Sequence, residues 1–321
     1  MTGPRLLTER HGRVLVVRFN NPPRNFFDEQ TSIELEALVR EIDRDNSLGA
    51  VILTGQDLFV THFNVPDLLR GAQTAAFPLS FRQAKPYAAV ARLIERSGPL
   101  ARALRRTRVR DLLTLARIYR TYARMNASGK VYVAAINGVA LGMGAILALQ
   151  CDVRLMADGD EYAIGLIEAG ISILPAAGGT QRLVRMVGQS RAAELLLEGR
   201  RLTPTEAADI GLVHRVVPED ELESEALRVA QRLAGRSQAL NREIKRMVYD
   251  AGARPFRVGA RMEAASMIAV MSTPRARQDM ETYLQELAKH DAPTDRDILE
   301  AWEKMLAPDQ AWPRQPASRS R

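Results

Sequence analysis

The spacing of apolar residues changes several times along the chain, and each change marks an element. In LLTERHGRVLVVRFN (6–20) two apolar arms flank His11-Gly12, and β-branched residues crowd the second, which predicts strand, turn, strand. FFDEQTSIELEALVREIDRD follows, with Leu35, Leu38, Val39 and Ile42 at the i, i+3, i+4, i+7 spacing of an amphipathic helix. GAVILTG (49–55) is a short apolar run bounded by glycines, the pattern of a buried strand in a parallel sheet. VYVAAING (131–138), CDVRLMAD (151–158) and GLVHRVV (211–217) predict further strands, with GTQRLVRMVG and RAAELLLEG helical between them. Strands that alternate with helices argue for an α/β fold with a parallel βαβ core. From Pro218 onward the pattern is helical only, and Pro218, Pro255 and Pro274 each sit near a helix start.

The expected organisation is therefore a core over 1–217, a helical region over 218–306 and a disordered tail over 307–321. The core carries an extended, basic, helical insertion at about 65–130. Within it, RQAKPYAAVARLIERSG and PLARALRRTRVRDLLTLARIYRTYARM read as helices, the second with a stripe of Leu104, Leu112, Leu115 and Ile118. There are no internal repeats.

Composition narrows the function classes. With 321 residues and 46% hydrophobic content, the chain can bury a large core. No run of 18 uncharged apolar residues exists, so no membrane helix is expected. The opening MTGPRLLTERHGR lacks the apolar stretch of a secretory signal. Cys151 is the single cysteine, which fits a reducing, cytoplasmic setting. No metal site is expected, because Cys151 and the four histidines are scattered without ligand spacing.

The net charge of +7 is uneven: residues 82–124 hold twelve Arg or Lys against two acids, Glu95 and Asp111. The basic character belongs to the insertion. Nucleic-acid binding is the weaker account of it, since no aromatic interleaving supports such contacts.

Candidate chemistry centres on NGVALGMGAILALQCD (137–152), where Gly138, Gly142 and Gly144 interrupt an apolar run that continues as a helix. Such a loop brings backbone amides close to something negative. It matches neither GxGxxG nor a Walker A sequence, and it contains no acid, histidine or serine to react. The reacting group must come from elsewhere.

This loop and residues 162–218 together closely resemble the crotonase (enoyl-CoA hydratase/isomerase) superfamily. The motifs are NG.ALG.G, CD.R.MAD, GGTQRL, ELLL.G and EA...GLV..VVP, in order and at the right spacing. The resemblance covers most of residues 10–218. It implies a ββα-superhelix core, a C-terminal all-helical trimerisation region, an acyl-CoA substrate and a homotrimer or hexamer. It implies no cofactor, coenzyme A being part of the substrate.

It also implies a shared device, two backbone N–H groups that hold a thioester oxygen as it becomes an enolate. Preorganised donors in a dry site stabilise that charge. Carried over by position, the donors are the amides of Phe63 and Met143. His62 and Asn64 replace a usual glycine and aspartate, and Met143 stands in a loop that is usually all glycine. Asn64, Val65, Gly142, Gly144 and Leu166 are placed beside the substrate or its CoA. His62 admits two readings, an acid or base, or a ring packed beside the loop.

Family hydratases use two glutamates. The first position aligns with Ile146, so that acid is absent; the second aligns with Glu168 in IGLIEAGI. Among Ile164, Leu166, Ile167 and Ile171, desolvation would raise the pKa of Glu168 towards a range useful for a proton shuttle. A single carboxylate suits double-bond migration, in which the base takes a proton at C2 and returns it at C4. IGLIE also resembles the stretch around the single catalytic glutamate of Δ3,Δ2-enoyl-CoA isomerases. Isomerisation is the leading expectation, with hydration and acyl-CoA binding without turnover as alternatives. For the basic insertion, arginines gripping CoA phosphates and a solvated or packed helical face both stay open.

Overall fold

The structure is a computed structural model and describes residues 3–73, 78–104, 107, 109–290 and 292–306. The tail expected over 307–321 lies outside the described residues. The chain opens with β1 (Leu6–His11), β2 (Val14–Phe19), α1 (Glu29–Arg44) and β3 (Ala50–Gly55). The insertion then forms α2 (Val65–Gln73), α3 (Phe81–Arg96), α4 (Gly98–Leu104) and α5 (Arg110–Ala127). Next come β4 (Val131–Ile136), β5 (Ala140–Leu141), α6 (Met143–Gln150), β6 (Val153–Ala157) and β7 (Ile164–Gly165). They are followed by α7 (Gly179–Val187), α8 (Gln189–Glu198), β8 (Arg201–Leu202), α9 (Pro204–Asp209), β9 (Arg215–Val217) and α10 (Leu222–Ala234).

The main sheet has the order β1-β2-β3-β4-β6-β9. The β1–β2 hairpin is antiparallel and every other pair is parallel. Successive residues of β3 and β4 face opposite ways, and both faces are covered. Ala50, Ile52, Val131 and Val133 pack under Ala226, Val229 and Ala230 of α10. Val51, Leu53, Tyr132 and Ala134 pack towards α1, α5 and α6, through Leu35, Val39, Tyr122, Met125 and Leu147. A second, small sheet, β5-β7-β8, consists of two-residue strands too short to leave a period in the sequence.

The chain divides into two compact units between Arg236 and Ser237. That boundary lies beyond the expected 217/218, because α10 roofs the sheet and belongs to the first unit. The second unit holds α11 (Gln238–Tyr249), α12 (Phe256–Met271), α13 (Pro274–Leu287) and α14 (Asp295–Leu306). Among the described residues no helix is long and apolar enough to cross a membrane.

The four arginines of α5 are engaged with side chains of this chain, most of them acids. Along α5, Arg110 Nε lies 3.4 Å from Glu29 Oε2, Arg117 Nη1 donates to Ser32 Oγ at 2.9 Å, and Arg124 Nη1 lies 3.2 Å from Asp43 Oδ2. Arg120 pairs with Glu36 and, at 3.0 Å, with Glu95 of α3. Arg110, Arg117 and Arg124 lie seven residues apart on α5 and meet Glu29, Ser32 and Asp43 along α1, which keeps one face of α5 against one face of α1. Arg117 is fully buried and lies 3.5 Å from the equally buried Glu95. Arg117 is committed to packing inward, Arg120 is mostly covered, and Arg110 and Arg124 keep 39% and 43% of their side chains exposed; Arg82, Arg92, Arg96 and Arg102 are exposed as well.

Removing one member of a buried pair leaves the other desolvated. Arg117→Met is therefore expected to cost about 3 kcal/mol, read as a lower midpoint in thermal unfolding. Adding Glu95→Leu should recover much of that loss, because an apolar pair of similar volume often replaces a buried ion pair without penalty.

The expected stripe on α5 is also re-aimed. Ile118 is buried as expected, together with Leu113, Ala116, Tyr122 and Met125, whereas Leu112 and Leu115 stand over a third exposed on the wall of a cavity.

Candidate active site

The glycine loop is pressed against the segment before α2. The Leu141 N–H donates to the Thr61 carbonyl at 2.7 Å, and the Gly142 N–H to the Gly165 carbonyl at 2.8 Å. The approach is so close that a Cβ on Gly144 would lie 1.8 Å from the Val60 carbonyl oxygen. Gly142 takes φ +49°, a conformation open mainly to glycine, and turns the chain into α6. Two glycines therefore meet the steric demands, and Met143 begins the helix with ordinary backbone. That is why a side chain is tolerated at a position where glycine is usual.

Phe27 bridges the other donor segment: its N–H donates to the His62 carbonyl at 2.9 Å, and its carbonyl accepts from the Asn64 N–H at 3.1 Å. Phe63, between them, turns its own N–H away from the bridge. Among the described residues the N–H groups of Phe63 and Met143 donate to no protein acceptor, and both residues line the cavity. At the first position of α6 the Met143 amide is one of those a helix leaves unpaired, and it carries the positive end of the helix dipole.

Glu168 opens the 3-10 turn Glu168–Ile171 just after β7. It is 9% exposed, and its Oε2 has no protein hydrogen-bond partner. A Cβ on Gly142 would lie 3.2 Å from Glu168 Oε1, so the carboxylate rests directly on the glycine loop. Burial pushes its pKa above the ordinary glutamate value of 4.5. Ile146, on α6, fills the position where a second acid would stand, and it too lines the cavity.

The pH consequences have a definite sign. As a base, Glu168 works only when ionised, so the acid limb of kcat/KM should lie above the ordinary glutamate range. A folded-state pKa above the unfolded one means that folding favours the neutral acid. The corresponding stability is present at low pH and lost as pH rises through the raised pKa. Glu168→Gln should therefore raise the unfolding midpoint at neutral pH and leave it nearly unchanged in acid.

The structure distributes the remaining candidates unevenly. His62 lines the cavity; its Nδ1 lies 2.7 Å from the Phe63 carbonyl, and its ring tilts against Phe26 at 4.7 Å. Val65 lines the cavity at the start of α2. Asn64 starts that helix, its carbonyl accepting from Asp67 and Leu68. Gly144 lies beneath the Val60 backbone, and Leu166 is packed in the core, away from the cavity wall. Glu29, Asp67, Arg110 and Asp111 also line the cavity, and no local motif marks them. The signal that could have found the wall is Leu112 and Leu115, whose stripe faces the cavity and not the core.

Two unpaired backbone donors and a desolvated carboxylate in one cavity are groups that can move a proton beside a carbonyl while amides hold the negative oxygen. The chain belongs to the enoyl-CoA hydratase/isomerase family, whose description matches residues 100–291. It is 29% identical over 283 residues to the 2,3-dehydroadipyl-CoA hydratase of Escherichia coli, covering 88% of this chain and 96% of that one. To the short-chain-enoyl-CoA hydratase of Clostridium acetobutylicum it is 29% identical over 248 residues, covering 74% and 81%. In fold it is similar to enoyl-CoA hydratase subunit I from Geobacillus kaustophilus, with a TM-score of 0.71 at 24% identity over 91% of this chain and 98% of that one. This is the crotonase fold expected from the motifs.

Proposed function

We propose that this enzyme moves a double bond in an unsaturated acyl-CoA, with Glu168 as the only proton shuttle. The amides of Phe63 and Met143 hold the thioester oxygen. Glu168 takes a proton from C2 of a 3-enoyl-CoA, charge collects on that oxygen, and the same carboxyl returns the proton at C4. No water is consumed. The observation that carries this reading is Glu168, the carboxylate that rests on the glycine loop with its Oε2 unpartnered, while Ile146 stands where the resemblance to hydratases would put a second acid; the other lining carboxylates, Glu29, Asp67 and Asp111, lie beside Arg110 or Arg70.

Hydration is the second reading, favoured by the relatives named as hydratases. It requires another group to handle a proton, and the candidates are His62, which lines the cavity, and a water. The Nδ1 of His62 is occupied at the Phe63 carbonyl, which leaves Nε2. Isomerisation predicts that 3-enoyl-CoA is consumed, that 2-enoyl-CoA is not hydrated, and that His62→Ala keeps activity within about tenfold. Hydration of 2-enoyl-CoA, lost in His62→Ala, would decide for the hydratase. Acyl-CoA binding with neither reaction would decide for a binding protein.

Self-association into a homotrimer or hexamer belongs to the same proposal. Exposed apolar residues of the second unit, among them Val248, Phe256 and Ile268, support it.

A further inference from the structure

The cavity is larger than the reaction needs. It is a half-open cleft of about 1220 Å³, beyond the roughly 300–1,000 Å³ of ordinary small-molecule sites. The insertion supplies much of its wall, through Leu68 and Ala72 on α2, Ala84 and Ala88 on α3, and Leu112 and Leu115 on α5. A methylene is about the size of a water molecule, whose share of liquid volume is roughly 30 Å³, so a twelve-carbon chain fills roughly 360 Å³. A four-carbon chain would leave most of these apolar walls against water.

The wall is held in place. Arg110, Arg117, Arg120 and Arg124 fasten α5 to α1, and Glu95 ties α3 to α5. Packing forces that would otherwise draw α3 and α5 inward act against these pairs, of which Arg117–Glu95 is buried.

Charge narrows the ligand further. Glu29, Asp67 and Asp111 place three carboxylates among the lining residues. Arg110 is already 3.4 Å from Glu29 and 3.7 Å from Asp111. Arg70 pairs with Asp67, so among the described residues three carboxylates meet two guanidiniums, and a chain ending in its own carboxylate would face net negative charge and guanidiniums already engaged.

We propose that the α2–α3–α5 wall selects acyl-CoA esters with long, uncharged chains of about ten carbons or more. Short-chain esters and esters ending in a carboxylate are disfavoured. The proposal rests on the functional reading above only for the CoA ester, and not on which reaction follows.

Titration calorimetry of the intact protein with saturated butanoyl-, hexanoyl-, dodecanoyl- and adipyl-CoA tests it, because no saturated ester turns over. Dodecanoyl-CoA should bind about a hundredfold more tightly than butanoyl-CoA, after the cost of ordering the chain offsets part of its burial. Adipyl-CoA should bind more weakly than hexanoyl-CoA of equal length. Ala88→Trp, at an exposed position of α3, should weaken dodecanoyl-CoA about tenfold and leave butanoyl-CoA unchanged. Ala84→Trp is made alongside, so that misfolding of one variant does not decide the result. Equal affinity for the butanoyl and dodecanoyl esters, or adipyl-CoA matching hexanoyl-CoA, would overturn the proposal and leave the isomerase reading standing. Loss of affinity for all four esters in both tryptophan variants would also overturn it. No binding of any ester by the unaltered protein would overturn both.

Discussion

Glu168→Gln is expected to lower turnover of a 3-enoyl-CoA about a thousandfold while leaving the affinity for a saturated acyl-CoA within about threefold. In the proposed reaction one carboxylate both removes and returns the proton, and general acid–base catalysis supplies about two to four powers of ten. Glutamine keeps the volume beside Gly142 but cannot accept the proton. The amides of Phe63 and Met143 are untouched, so the thioester should still bind. Steady-state kinetics with a 3-enoyl substrate, together with calorimetry on its saturated counterpart, separates the two effects. Residual activity within about tenfold of the unaltered enzyme would show that another group moves the proton.

Gly144→Ala is expected to cost about 4 kcal/mol or more, a loss large enough to leave little folded protein at physiological temperature. The added methyl would occupy the Val60 carbonyl oxygen, and a backbone atom cannot turn aside as the end of a side chain can. The chain must separate the glycine loop from the Val60–Thr61 segment. That separation breaks the Leu141-to-Thr61 hydrogen bond and moves one amide donor away from the other. Chemical unfolding measures the stability loss. Any variant that folds should also show a lower kcat, because the oxyanion geometry is spoiled. Gly142→Ala makes a milder comparison: its Cβ would meet the tip of Glu168 at 3.2 Å, and the φ of +49° adds strain. A Gly144→Ala protein as stable and active as the original would overturn the close packing of the two loops.

Much of this protein is legible from one dimension. Residues 14–19, 50–55 and 131–136 read as strands because their apolar runs are short, β-branched and bounded by turn residues, and all three lie in the sheet. Leu35, Val39 and Ile42 read as the buried face of α1 because a 3.6-residue period fixes that face without knowing its partner. Glycines 142 and 144 and the lone Glu168 stood out by chemistry, through the missing acids in the loop and the apolar neighbours of the glutamate.

Other features needed the chain to fold. The two-residue strands β5, β7 and β8 carry no period, yet through the Gly142-to-Gly165 hydrogen bond they set Glu168 on the glycine loop. The arginines of α5 look like a surface for phosphates until α1 is laid beside them, because a charge in a sequence does not disclose which acid it meets. Leu112 and Leu115 look like core for the same reason: periodicity marks a common face but not what it faces. The sequence determined the longer strands and the helices, and it singled out Glu168 as the candidate base. Packing between distant segments decided where the amides converge, how the carboxylate loses its water, and how much room is left for the acyl chain.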